Sequence, residues 1–246
     1  MIEQTNIQLF NALQKDIWSE FAQKWHEKWH EKKNESTFQN AVKNLYGFEK
    51  DYEWNILHNS FQVIDDSELA KLSFKHLERQ KPSINLDFAE RNLRLYGLLN
   101  AVSQQKLAID NLLTIHKMAN KTRLSKQLSQ SKILAFSNKI VAHATSAKTE
   151  KVDFKHFFDV DEITMLKSDS RVFSLLRNQN ELENLDFMKE IETFDKMVES
   201  NLSLIATKLI KKIYKNQGEF YKRLFVIELT RTCGMVEGDH LMGIKR

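Results

Sequence analysis

Two constellations in this chain hold side chains able to do chemistry. The first is Asn138, Lys139 and His143. A neutral imidazole moves protons near pH 7, and a lysine four residues before it on a helix shares its face and supplies a cation. The amide of Asn138, just before the lysine, can donate and accept. Such a set can move a proton and stabilise negative charge that develops beside it. The second constellation is a literal HExxH, running from His26 through Glu27 to His30. On a helix its histidines would share one face, the spacing used by zinc hydrolases. Lys28 lies between them, and Glu31, Lys32 and Lys33 follow at once. The string is therefore expected to be a solvated, metal-free face, and no cofactor is called for.

A third feature is electrostatic. From Asn111 to Thr149 there is no Asp or Glu, while Lys117, Lys121, Arg123, Lys126, Lys132, Lys139 and Lys148 supply cations. The chain as a whole nearly balances its charges at +4, so this stretch should carry a local positive potential able to attract phosphates. Arg123, Lys126 and Lys132 are the expected RNA or phosphate contacts.

These residues need helices to position them. Phe88 to Met118 reads as one long central helix with apolar residues around most of its circumference. Leu93, Tyr96, Ala101, Leu107, Ala108, Leu112 and Ile115 form one face, and Leu95, Leu98, Leu99, Val102, Ile109 and Leu113 fill much of the rest. Asn100 and Gln104 are thus expected to be buried polar supports for the site. Upstream, Thr5 and Gln8 resemble a capping box opening a helix of about eight turns. Further helices are expected from Ser36 or Thr37 to before Gly47, from Asp51 to Phe61, and from after Asp65 to before Pro82. All four tryptophans fall in this N-terminal part, as core or interface residues. Past a turn at Asn120 to Thr122, one helix should reach His143. Residues 144–180 lose the pattern, and a short β-hairpin or irregular insert is expected around 150–175. From Asp186 to Ile213 apolar residues recur at spacings of three and four, which predicts a second long central helix. Gly218 precedes a final helix through Arg231.

The fold class expected is all-α, a helical bundle with two long central helices. An N-terminal layer covers 1–82, a bundle packed on it as one unit covers 83–233, and a flexible tail covers 234–246. Six glycines and one proline in 246 residues support that class. The single Cys233 excludes an intrachain disulfide and a cysteine zinc cluster. With no signal-peptide core and no apolar run long enough to span a bilayer, the sequence is read as cytoplasmic, without a membrane partner.

The segment NKIVAH, Asn138 to His143, together with RLYGLLNAVSQQKLAIDNL upstream, resembles the HEPN superfamily of helical domains, especially its larger prokaryotic members. The resemblance runs from about Phe88 to the C-terminal helix. HEPN ribonucleases place an arginine upstream of the histidine, with four to six residues between the two. Here those positions are Phe136, Ser137 and Asn138, so the arginine is absent while a polar residue and the histidine remain. The resemblance implies a HEPN-like homodimer associated with RNA, with weak or no ribonuclease activity, in defence or toxin–antitoxin biology. If active, it would be a metal-independent endoribonuclease. A catalytically silent helical module that binds a protein is the alternative.

Overall fold

The structure, a computed structural model, describes residues 4–32, 40, 43, 48, 52–77, 87–145, 158–160, 172–177, 181–214 and 218–233. Among these described residues seven helices dominate: α1 (Asn6–Lys32), α2 (Tyr52–Leu77), α3 (Asp87–Ile115), α4 (Lys121–Ser129), α5 (Lys132–Thr145), α6 (Phe187–Ile213) and α7 (Gly218–Cys233). The all-α class holds, with one small sheet. Strands β1 (Phe158–Val160), β2 (Val172–Arg177) and β3 (Glu181–Asp186) pair antiparallel in that order. The β2–β3 register runs from Val172 opposite Asp186 to Arg177 opposite Glu181. The expected insert is therefore a sheet that extends beyond 175 and leads straight into α6. Asp186 ends β3 and caps that helix, its Oδ1 accepting the Lys189 amide at 3.1 Å.

Local signals explain the helix ends. The Thr5 amide donates to Gln8 Oε1 at 3.0 Å and the Gln8 amide donates to Thr5 Oγ1 at 3.2 Å, the reciprocal pair of a capping box. At the other end of α3, Lys117 takes φ 49° while Met118 N donates to Leu113 O and Lys117 N to Thr114 O, each at 2.9 Å. That is a left-handed helix stop made without glycine.

Two boundaries differ from the sequence reading. The helices expected on either side of Asp65 are one continuous α2, because its polar residues find tertiary partners instead of breaking the helix. Asp65 accepts from Asn11 at 2.7 Å and pairs with Lys15, and Ser67 Oγ donates to Ala101 O at 3.0 Å. Conversely, the single helix expected up to His143 is divided into α4 and α5. Gln130 and Ser131 bond back to Lys126 O and Leu128 O, and Ser131 O accepts the first α5 bond from Ala135 N. Of the helix expected before Gly47 only Asn40 and Lys43, both helical, are described. The tail over 234–246 lies outside the described residues.

The chain groups into two compact units, each drawing on both sides of position 82. One comprises Met1–Asp65, Ala108–Lys121 and Glu199–Arg246, the other Asp66–Leu107 and Thr122–Val198. In the first, Ile7, Phe10, Leu13, Ile17, Leu57, Leu112, Leu202 and Leu209 are buried, each worth about 1.5–3 kcal/mol. Asn11 donates to Phe61 O at 2.9 Å, Tyr214 donates to Ile17 O at 3.0 Å, and Trp18 meets Trp54 edge-on at 5.5 Å. In the second, Phe187 is the hub: Phe136 packs edge-on at 4.9 Å and Phe74 lies at 6.1 Å. Leu95, Leu98, Leu99 and Val102 complete that core.

Candidate nucleic-acid interface

The motif helix α5 is positioned by the apolar face of a short amphipathic sequence. Ile133, Leu134, Phe136 and Ile140 are buried, and so is Ser137, whose Oγ lies 3.1 Å from Ser103 Oγ and donates to Leu99 O at 3.3 Å. Those contacts fix α5 beside α3. Two of the three positions at which the motif arginine would stand are therefore core positions, and the third, Asn138, is exposed. Lys139 is half-buried, and His143 lies in α5 with its side chain outside the described residues.

Asn100 and Gln104 are not buried: both are exposed, beside the Ser103–Ser137 contact. The buried amide is the next residue, Gln105, at 0% exposure. The exposed stripe of α3 runs through Leu93, Tyr96, Gly97, Asn100, Gln104, Leu107, Asn111 and Thr114. Leu93, Tyr96 and Leu107, expected on a packed face, are thus exposed. Their apolar character disguised the one solvent-facing stripe of the helix, so periodicity alone placed the amides inside.

Among the described residues, most cations of the acid-free stretch are at the surface. Lys121, Arg123 and Lys126 on α4 and Lys132 at the start of α5 are all exposed. Lys132 reaches Glu190 at 3.7 Å, a contact screened by its own exposure. Lys117 is exposed too, and the unit that contains it adds cations which sequence reading missed. Lys208 Nζ donates to Lys117 O at 2.6 Å, neutralising the carbonyl end of α3. Lys212, one turn further along α6, has its pKa lowered, first by desolvation and then by Lys208 and Lys117. His116, buried beside this group, is pushed down to about 3 by burial and then by Lys208 and Lys212. The signal for these lysines was the run Lys208, Lys211, Lys212 in the last turns of an otherwise apolar stripe.

A second ionic group is closed to solvent. Lys71 Nζ, 1% exposed, contacts Asp195 Oδ1 at 2.5 Å, Gln105 Oε1 at 2.9 Å and Glu68 Oε1, while Gln105 Nε2 donates to Glu68 at 2.7 Å. Desolvation pulls the Lys71 pKa down, but Asp195 and Glu68 outweigh it and the net shift is upward. The ammonium is fully partnered, so this group ties α2, α3 and α6 together and offers no nucleophile. In the HExxH string, His26 and Glu27 are exposed, and Gln23 donates to Glu27 at 3.1 Å. The His30 side chain lies outside the described residues. Among those residues no cluster of three or more metal-ligating side chains occurs. No family model, curated protein or solved structure matches this chain.

Proposed function

We propose that this chain is a HEPN-like helical protein that binds RNA through its cationic surface, has weak or no ribonuclease activity, and acts as a homodimer in the cytoplasm, in defence or toxin–antitoxin biology. The observation that carries the RNA reading is the exposure of Arg123, Lys126 and Lys132 within a stretch containing no carboxylate. Phosphate contacts from such residues release counterions and need no sequence recognition. The reading of weak or absent cleavage is supported by Phe136 and Ser137, whose burial leaves little room for an arginine fork against a phosphate. No described helix is long and apolar enough to cross a membrane.

The test is fluorescence anisotropy with a labelled single-stranded RNA over a salt series. Affinity should fall linearly on a log–log plot. Arg123→Glu with Lys126→Glu should reduce the slope by about 0.7 for each phosphate that the protein no longer neutralises. His143→Ala should leave binding intact and remove any residual cleavage. Absence of binding at low salt would sink the RNA reading. The alternative, a silent module that binds a protein, would then stand on the exposed apolar residues of α3.

A further inference from the structure

We propose that the turn closing α3 and the last turns of α6 form a binding site for a diphosphate group, held by Lys117, Lys208 and Lys212. This goes beyond the RNA reading, which rests on cations of α4 and α5, and it stands or falls separately.

All three lysines belong to the first unit, and one bond joins their segments: Lys208 Nζ donates to Lys117 O at 2.6 Å. Neither segment brings a carboxylate. Lys117 lies in the acid-free stretch that begins at Asn111, and a second such stretch runs from Ser200 to Gly218. Lys212 follows Lys208 by one turn, about 6 Å along α6. Lys208 and Lys117 both act on it as like charges that lower its pKa, and the same field from Lys208 and Lys212 reaches the buried His116. Lys117 and Lys212 are exposed and Lys208 is half-buried, so an anion can approach from solvent.

Helix capping accounts for only part of this charge. The carbonyl ends of α3 and α6 carry about half a negative charge each, so three cations leave an excess of about two positive charges. Lys208 uses one of its three N–H donors on the Lys117 carbonyl, and its ammonium carries two more. Gathering like charges disfavours the folded state, and desolvation, the first cause of the lowered Lys212 pKa, adds to that cost. An anion of matching charge relieves both effects. A diphosphate fits because two linked phosphoryl groups can engage ammonium groups one turn apart. A single phosphate reaches both only by drawing the like charges together, and an RNA backbone spreads its charge at one per phosphate. Lysine suits the task as a flexible point charge that imposes no fixed fork.

The experiment is calorimetric titration with inorganic pyrophosphate, alongside orthophosphate and sulfate at matched ionic strength, with thermal unfolding of the same samples. Pyrophosphate should bind one to one and raise the Tm, as any ligand specific to the folded state does. Lys212→Gln and Lys117→Asn should each weaken it more than about tenfold, the loss of one charge-assisted contact. Both variants should give the wild-type circular dichroism, because each relieves like-charge contacts and asparagine tolerates the left-handed conformation at 117. Arg123→Glu with Lys126→Glu should leave pyrophosphate affinity within about twofold, as expected for a separate site. Adenosine diphosphate binding as tightly as pyrophosphate would identify an esterified diphosphate as the ligand, and pyrophosphate binding alone would identify the free anion. Both results uphold the site. Pyrophosphate binding no tighter than sulfate, or unchanged in folded Lys212→Gln, would overturn it. Loss of pyrophosphate binding in the α4 double variant would also overturn it, by moving the anion to α4. Failure of RNA to bind, measured separately, sinks the RNA reading and leaves this site standing.

Discussion

His116 is where a single side chain sets a pH limit. Its folded pKa is lowered from 6.5 to about 3, first by burial and then by Lys208 and Lys212. The unfolded imidazole takes up a proton as pH falls through 6.5, while the folded one resists until about 3. Stability attributable to His116 is therefore present above 6.5 and lost on acidification towards 3. Between pH 7.5 and 5 the loss should be about 2 kcal/mol. Urea unfolding at the two pH values should show this difference in the wild type and its near disappearance in His116→Leu. Equal slopes would mean that the imidazole protonates in place. No sequence pattern announces such a residue: His116 follows the buried Ile115 at a helix end, and only the return of α6 brings Lys208 and Lys212 beside it.

At the scale of elements, the Lys71 group decides how three helices are tied. Lys71 and Glu68 come from α2, Gln105 from α3 and Asp195 from α6, and the cation holds two carboxylates in a nearly dry site. Lys71→Met leaves those carboxylates facing each other and should cost about 3–5 kcal/mol in chemical unfolding near neutral pH. Acidification that protonates them should relieve part of that loss. Because the Lys71 pKa is raised, its own contribution is complete below the ordinary lysine value of 10.5 and is lost as pH rises through the higher folded value. Unfolding at high pH should therefore be milder in Lys71→Met than in the wild type. A variant as stable as the wild type at pH 7 would show that the ions contribute nothing net. The same helices explain why the amide assignment missed by one position. Gln105 is chosen by a lysine and a glutamate 34 and 37 residues earlier in the chain, partners that no window along α3 contains.

For the whole molecule, the unit boundaries fall inside α2, α3, α4 and α6, each of which contributes residues to both units, α4 giving the first only Lys121. A helix shared in this way couples the two units through a continuous hydrogen-bonded backbone, so unfolding should be a single transition. All four tryptophans lie in the unit containing residues 1–65, whereas far-UV circular dichroism reports both units. The two probes should give coincident thermal curves, and separated midpoints would show that the units melt independently. Scarce glycine and proline, the capping box at Thr5 and the apolar period from Phe187 to Leu209 were enough to determine a helical chain, the start of α1 and the span of α6. These are local properties, set by backbone propensity and by the side-chain spacing of a single helix. What the tertiary structure alone decided was which polar residues would be satisfied by distant partners. It kept α2 unbroken at Asp65 and Ser67, buried Gln105 instead of Asn100 and Gln104, closed the position of Ser137, and gathered Lys117, Lys208 and Lys212. A polar or apolar side chain is compatible with either face of a helix until the neighbours arrive. Desolvation and hydrogen-bond pairing, both consequences of contacts remote in sequence, then fix the choice.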